Sequence, residues 1–139
     1  MAREFSVTPV ISIEDNPNIS LSFVRLKGIN NRIIMPDSDA VYVCTKGIVS
    51  FLIGEDDRLS LFILKKGSPT KIDKGIPYLS FSEEGTTLIA VNKPAFDSKS
   101  IKILPISNEI RAMIAKINRD IKICTLLTSN QSSSKFSQV

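Results

Sequence analysis

The sequence predicts an all-β sandwich or barrel followed by one C-terminal helix. Three observations predict it. Short runs rich in Val, Ile, Phe and Leu recur every 8–12 residues up to Leu104, with turn-forming clusters between them. After Ser107 the apolar spacing changes from strand-like to helical. The chain has 139 residues, enough for one core without disulfide or metal support.

The strands follow in order. Ser6–Glu14, Ile19–Lys27, Arg32–Met35, Ala40–Thr45, Ile48–Ile53, Leu59–Leu64, Pro77–Phe81, Thr86–Asn92 and Ser100–Leu104 carry the residues that suit a half-buried pleated surface. Asp15-Asn16-Pro17-Asn18, Pro36-Asp37-Ser38-Asp39, Gly54-Glu55-Asp56-Asp57 and Ser82-Glu83-Glu84-Gly85 supply the turns between them. Ile110, Ile114, Ile117, Ile121 and Cys124 then fall on one helical stripe. Ser107 is placed to cap that helix, and Glu109 suits the positive end of its dipole. The expected organisation is a barrel over 1–104, a helix over 105–127 and a Ser- and Gln-rich tail over 128–139, too poor in apolar residues to order itself.

Composition removes whole classes of chemistry. There is no histidine, so no Ser-His-Asp or Cys-His nucleophile, imidazole base or imidazole metal ligand can form. Cys44 and Cys124 are the only cysteines, lie far apart in apolar surroundings and cannot hold zinc alone. They read as free thiols of a reducing compartment, and an intracellular location, cytoplasmic or nuclear, is expected. No signal peptide and no stretch near the ~18–20 apolar residues of a membrane span is present.

The net charge of +4 is uneven. Residues 1–98 carry 11 Lys or Arg against 12 Asp or Glu; residues 99–139 carry seven against two. The basic helix residues Arg111, Lys116, Arg119 and Lys122 are therefore candidates for phosphate contact with a nucleic acid, or simply a solvated face. No aromatic residue lies between Ser107 and Leu127 to stack on bases. Glu55-Asp56-Asp57 and Glu83-Glu84 read as solvated turns, because adjacent carboxylates point in alternating directions and cannot cage a cation.

Glycine spacing adds a family resemblance. Gly28 and Gly47 stand at the full spacing of the first cupin motif, and Gly67 and Gly75 stand in the frame of the second. The stretch from Gly28 to Asp97 resembles the cupin superfamily, which implies a double-stranded β-helix (jelly-roll) barrel. The positions that bind Fe, Mn, Ni or Zn in cupin enzymes are here Ile34, Pro36, Ala40 and Tyr78. Asp73 stands where proline is usual, and Ser82 where asparagine is usual. The resemblance thus implies a barrel with no transition metal and no cofactor. Metal-free cupin epimerases and isomerases depend on a histidine base, often beside a tyrosine; Tyr78 can be the tyrosine, and the base is missing. Lys66-Gly-Ser-Pro-Thr-Lys-Ile-Asp-Lys-Gly-Ile-Pro-Tyr78 is similar to the second motif of the centromere protein C cupins. That similarity implies a dimerising barrel that holds protein partners.

Alternation along the fourth strand puts Ala40, Tyr42 and Cys44 on one face. With Ile34 and Tyr78 they form a mostly apolar lumen. It is either a packed core or a pocket for a small hydrophobic ligand, oriented by the phenols of Tyr42 and Tyr78. Cys44 has no activating base in view. Two functions follow: a non-catalytic dimerisation and binding module for protein or ligand, or a metal-independent enzyme acting on a small polar metabolite such as a nucleotide sugar. A homodimer is expected. The strands Ala40–Thr45, Ile48–Ile53 and Leu59–Leu64 are apolar on both faces, which a sheet with one wet face should not be. Their outward side must be covered by the helix, by a second copy, or by both.

Overall fold

A computed structural model describes residues 4–29, 32–54 and 58–135. The chain divides after Pro105 into two units. The first carries every strand of the described residues: β1 (Glu4–Ile11), β2 (Ser20–Ile29), β3 (Arg32–Met35), β4 (Asp39–Gly47), β5 (Val49–Ile53), β6 (Ser60–Leu64), β7 (Pro69–Ile72), β8 (Tyr78–Lys93) and β9 (Lys102–Pro105). The second carries one helix, α1 (Asn108–Lys135).

All strand pairings are antiparallel, and β8 organises them. Its first half pairs with β5, Phe51 opposite Ser80, and touches β3 through Ile34 opposite Tyr78. Its second half lies between β2 and β4, with Ala90 opposite both Ser22 and Tyr42. One strand thus serves two sides of a curled sheet, so the sheet wraps around a single interior.

The wrap depends on what happens at Ser82–Gly85. The sequence predicts a turn there between two strands; the structure runs β8 straight through as a bulged strand. Ser82 Oγ donates to the carbonyl of Ile48 and accepts the amide of Gly85, so the turn-forming residues close a local loop inside the strand. A bulge of this kind bends and twists the strand without ending it. Beside it, Gly47 adopts φ +80°, and a Cβ there would lie 2.2 Å from the Gly85 carbonyl oxygen. Only glycine lets β4 approach β8 this closely. Glu83 and Glu84 accordingly lie within β8, not in a free turn. Glu55-Asp56-Asp57 lie outside the described residues.

Inward alternation survives the bulge. Tyr78, Ser80, Ser82, Thr86, Leu88, Ala90 and Asn92 are all buried and share one parity along β8. The core packs Val24 and Leu26 of β2, Ala40, Tyr42 and Cys44 of β4, and Phe51 of β5 against them. Burying Phe51 alone contributes up to about 3 kcal/mol.

Three boundaries differ from expectation. The first strand ends at Ile11, because Asp15 accepts from the Ser12 amide and hydroxyl and turns the chain early. Pro69–Ile72 forms β7, which the proline and lysines disguised; it is an edge strand pairing only with β4, where proline is tolerated. The helix does not stop near Leu127 but continues to Lys135, so 128–135 is not a loose tail. No Gly or Pro occurs after Pro105 to break it. Ser107 caps it as expected, its hydroxyl accepting the Ile110 amide at 3.2 Å.

Candidate functional site

The interior is not fully packed. A cavity of about 80 Å³ lies between β2, β4 and β8. Ile34, Tyr42, Tyr78, Leu88 and Ala90 form its deep wall, all buried. Phe5 and Val7 of β1 and Phe96 of the β8–β9 connection lie at its outer side; Val7 is 46% exposed and marks the mouth. Phe96 is fixed there by its amide, which donates to Ser20 Oγ at 2.9 Å.

The two phenols meet inside this cavity. Tyr42 comes from the middle of β4 and Tyr78 from the start of β8, and their hydroxyls hydrogen-bond to each other. Their rings stack obliquely with Phe51, whose centroid is 5.2 Å from that of Tyr42 and 6.1 Å from that of Tyr78. Burial pushes the Tyr42 phenol above its usual pKa, offset in part by the bond from Tyr78. Burial, reinforced by charge repulsion from Tyr42 and the shared hydrogen bond, holds Tyr78 well above that value. Both are neutral phenols at physiological pH, and neither serves as a base there.

Of the five residues expected to form the pocket, Ile34, Tyr42 and Tyr78 line the cavity. Ala40 and Cys44 face the same interior and are buried, but they do not reach the cavity wall. Cys44 Sγ instead lies 3.3 Å from the Gly47 carbonyl and 3.5 Å from Thr86 Oγ1. Both cysteines are free; Cys124 is exposed on the helix. Arg111, Lys116, Arg119 and Lys122 are also exposed there.

Sequence reasoning missed Ser22, Ser80 and Asn92, which supply the cavity's remaining polar groups. Ser80 and Asn92 share the parity of Tyr78 along β8, a signal hidden by splitting that strand at Gly85. Asn92 Nδ2 donates to Ser38 Oγ at 3.0 Å, and its amide oxygen has no partner among the described residues. The same holds for the Ser80 hydroxyl, which is nine-tenths buried. A pair of hydroxyls sharing one hydrogen bond also leaves one O–H undonated.

The cavity does not suit a transition metal. Where the cupin pattern places ligands, the side chains of Ile34, Pro36 and Ala40 offer only carbon and Tyr78 offers a neutral phenol. A second cavity of about 170 Å³ lies on the other side of Phe96, beside Asp37, Ser38, Asp97 and Ser100. Its two carboxylates are already occupied: Asp37 pairs with Lys74 at 3.2 Å, and Asp97 accepts from the Lys99 amide and the Ser100 hydroxyl.

No protein-family model matches the sequence, and no curated protein does. Solved structures do match. Oxalate decarboxylase from Bacillus subtilis superposes with a TM-score of 0.64 at 18% identity, covering 75% of this chain and 29% of that one. Ectoine synthase from P. lautus gives 0.57 at 15% identity, covering 78% and 83%. The Clostridium difficile EutQ protein gives 0.55 at 17% identity, covering 68% and 65%. The chain thus spans under a third of the oxalate decarboxylase it matches. These neighbours are cupins, and the fold of this chain is the cupin jelly-roll barrel with one C-terminal helix.

Proposed function

We propose that this cupin-fold chain is a non-catalytic, metal-free module that dimerises and binds a ligand or protein partner. One observation carries the reading: among the described residues no Lys, Arg, Asp or Glu lines the central cavity, and the titratable groups there are two neutral phenols bonded to each other. General acid–base catalysis at neutral pH needs a group that titrates near that pH within reach of the substrate. The alternative, a metal-independent epimerase or isomerase acting on a nucleotide sugar, needs such a base beside Tyr78, and the described residues of the cavity supply none.

Dimerisation draws support from the outward side of the sheet. The register aligns Phe23, Ile89 and Val43 in one row, and Ile11, Leu21, Val91 and Val41 in the next. Phe23 is 44% exposed and Val41 37%. By contrast the outward Leu52 and Leu79 of β5 and β8 are buried within the chain and need no partner. Strands β1, β2, β8 and β4 at about seven residues each, with the four residues of β7, spaced ~4.8 Å apart at ~3.3 Å per residue, give a flat footprint of roughly 500 Å². That is the order of the ~800 Å² each partner buries in a stable complex. A second copy, seated face to face, removes these rows from water. The similarity of the Tyr78 segment to the centromere protein C cupins points the same way.

Native mass spectrometry of the protein purified from its own source tests the proposal. The expected species is twice the 15.3 kDa chain mass, with a small organic molecule or protein partner and no metal. A bare single chain, or turnover of a nucleotide sugar by the same preparation, overturns it.

A further inference from the structure

We infer that the lumen takes a small uncharged molecule with an apolar body and one carbonyl or hydroxyl group, held by the undonated phenol proton of the Tyr42–Tyr78 pair. The inference rests on the binding reading above and names the ligand class.

Size sets the first limit. A dry cavity of about 150 Å³ holds one benzene ring. The 80 Å³ here therefore encloses a fragment of a few heavy atoms, and anything longer leaves past Val7. Charge sets the second. No ionic side chain of the described residues lines the wall, so among them a carboxylate, phosphate or ammonium would be buried unpaired, at a cost far above any contact it makes. Hydrogen-bonding capacity sets the third. Most of the wall is alkyl or aromatic: Ile34, Val24, Leu88, Ala90, Phe5 and Phe96. The polar groups at least nine-tenths buried and without a described partner are one tyrosine O–H, the Ser80 hydroxyl and the Asn92 amide oxygen; the half-buried Ser22 hydroxyl adds a fourth nearer the outside. The tyrosine O–H and the Ser80 hydroxyl can each donate to one carbonyl, and a ligand hydroxyl can in addition donate to the Asn92 amide oxygen. These groups do not satisfy the many hydroxyls of a sugar, each of which would lose its water.

The molecule carries its own reporter. The chain has no tryptophan, and Tyr42 and Tyr78 are its only tyrosines, so its tyrosine signal is the cavity signal. Three probes with equal numbers of heavy atoms separate the terms: 2-butanone, its hydrocarbon isostere 2-methyl-1-butene, and propanoate. Each is titrated by ligand-observed NMR into wild type and Y42F/Y78F, with tyrosine absorbance followed in wild type. Expected are binding of butanone but not propanoate, a tyrosine difference spectrum with butanone, and about a tenfold fall in the butanone-to-alkene affinity ratio in Y42F/Y78F. If that variant does not fold, the wild-type selectivity and difference spectrum still decide. Propanoate binding as well as butanone, an unchanged ratio, or no tyrosine perturbation overturns the ligand class while leaving a binding lumen. Binding of none of the three to the folded protein overturns the lumen as a binding site as well.

Discussion

Tyr42 and Tyr78 share a hydrogen bond between their hydroxyls at the centre of the barrel, 36 residues apart in sequence. The bond exists because Tyr42 alternates inward on β4 while Tyr78 opens β8 directly opposite Ile34. The two phenols of this lumen thus engage each other, while the Ser80 hydroxyl and the Asn92 amide oxygen have no partner among the described residues. At the centre of this barrel stands a pair of neutral phenols that share one hydrogen bond and leave one O–H undonated.

Alkaline titration should expose that pair. Both tyrosines have their pKa raised by burial in the folded state. A folded pKa above the unfolded value means that stability is fully present below pH ~10 and is lost as pH rises beyond it. Absorbance near 295 nm should stay flat through pH 10 and then rise together with unfolding seen by circular dichroism. Tyrosine ionisation near pH 10 in a still-folded protein would show that the phenols are solvated.

Phenylalanine substitutions should be non-additive. Y42F or Y78F alone leaves the other buried hydroxyl without its partner, at a cost of about 1–3 kcal/mol. Removing both hydroxyls abolishes the unsatisfied group, so Y42F/Y78F should be no less stable than either single variant. Urea denaturation of the four proteins measures the coupling; simple additivity would mean that the hydroxyls do not depend on each other.

Two motif glycines should behave differently. Gly47→Ala places a methyl 2.2 Å from the Gly85 carbonyl oxygen at φ +80°, and should cost about 3 kcal/mol or more. Gly67 has a similar φ of +87° but nothing within 4 Å, so Gly67→Ala should cost only the ~1–2 kcal/mol of the left-handed backbone. Thermal melts compare them; equal losses would mean that the β4–β8 approach is not tight.

Phe23→Asp tests the outward face. Phe23 is exposed, so the monomer should keep its stability within about 0.5 kcal/mol. Light scattering on a sizing column should give a dimer for wild type and a single chain for Phe23→Asp. A Phe23→Asp dimer would move the interface elsewhere, the exposed Leu61, Phe62 and Ile63 of edge strand β6 being the next surface.

Much of this fold is legible in the sequence. Arg32–Met35 matches to the residue, because its run of three apolar residues ends at the turn signal Pro36-Asp37-Ser38-Asp39. Inward alternation of Ala40, Tyr42 and Cys44 was also legible, since period two needs only a strand. What failed was long-range or cooperative. Ser82-Glu83-Glu84-Gly85 carries turn chemistry, and only the bonds to Ile48 and Gly85 make it a bulge. That error split β8 and concealed Ser80 and Asn92, two polar residues of the cavity. The helix overran because a Ser- and Gln-rich composition was read as disorder where no residue actually breaks a helix.

Elemental analysis after dialysis against Fe, Mn, Ni and Zn in turn tests the central claim most directly, because metal is what a cupin lumen would need for most of its chemistry. Ile34, Pro36, Ala40 and Tyr78 stand where the ligands would be, so every metal should remain far below one equivalent per chain, with the tyrosine absorbance unchanged. One equivalent of any of the four, bound tightly enough to survive desalting and perturbing the Tyr42–Tyr78 signal, would contradict a metal-free, non-catalytic lumen.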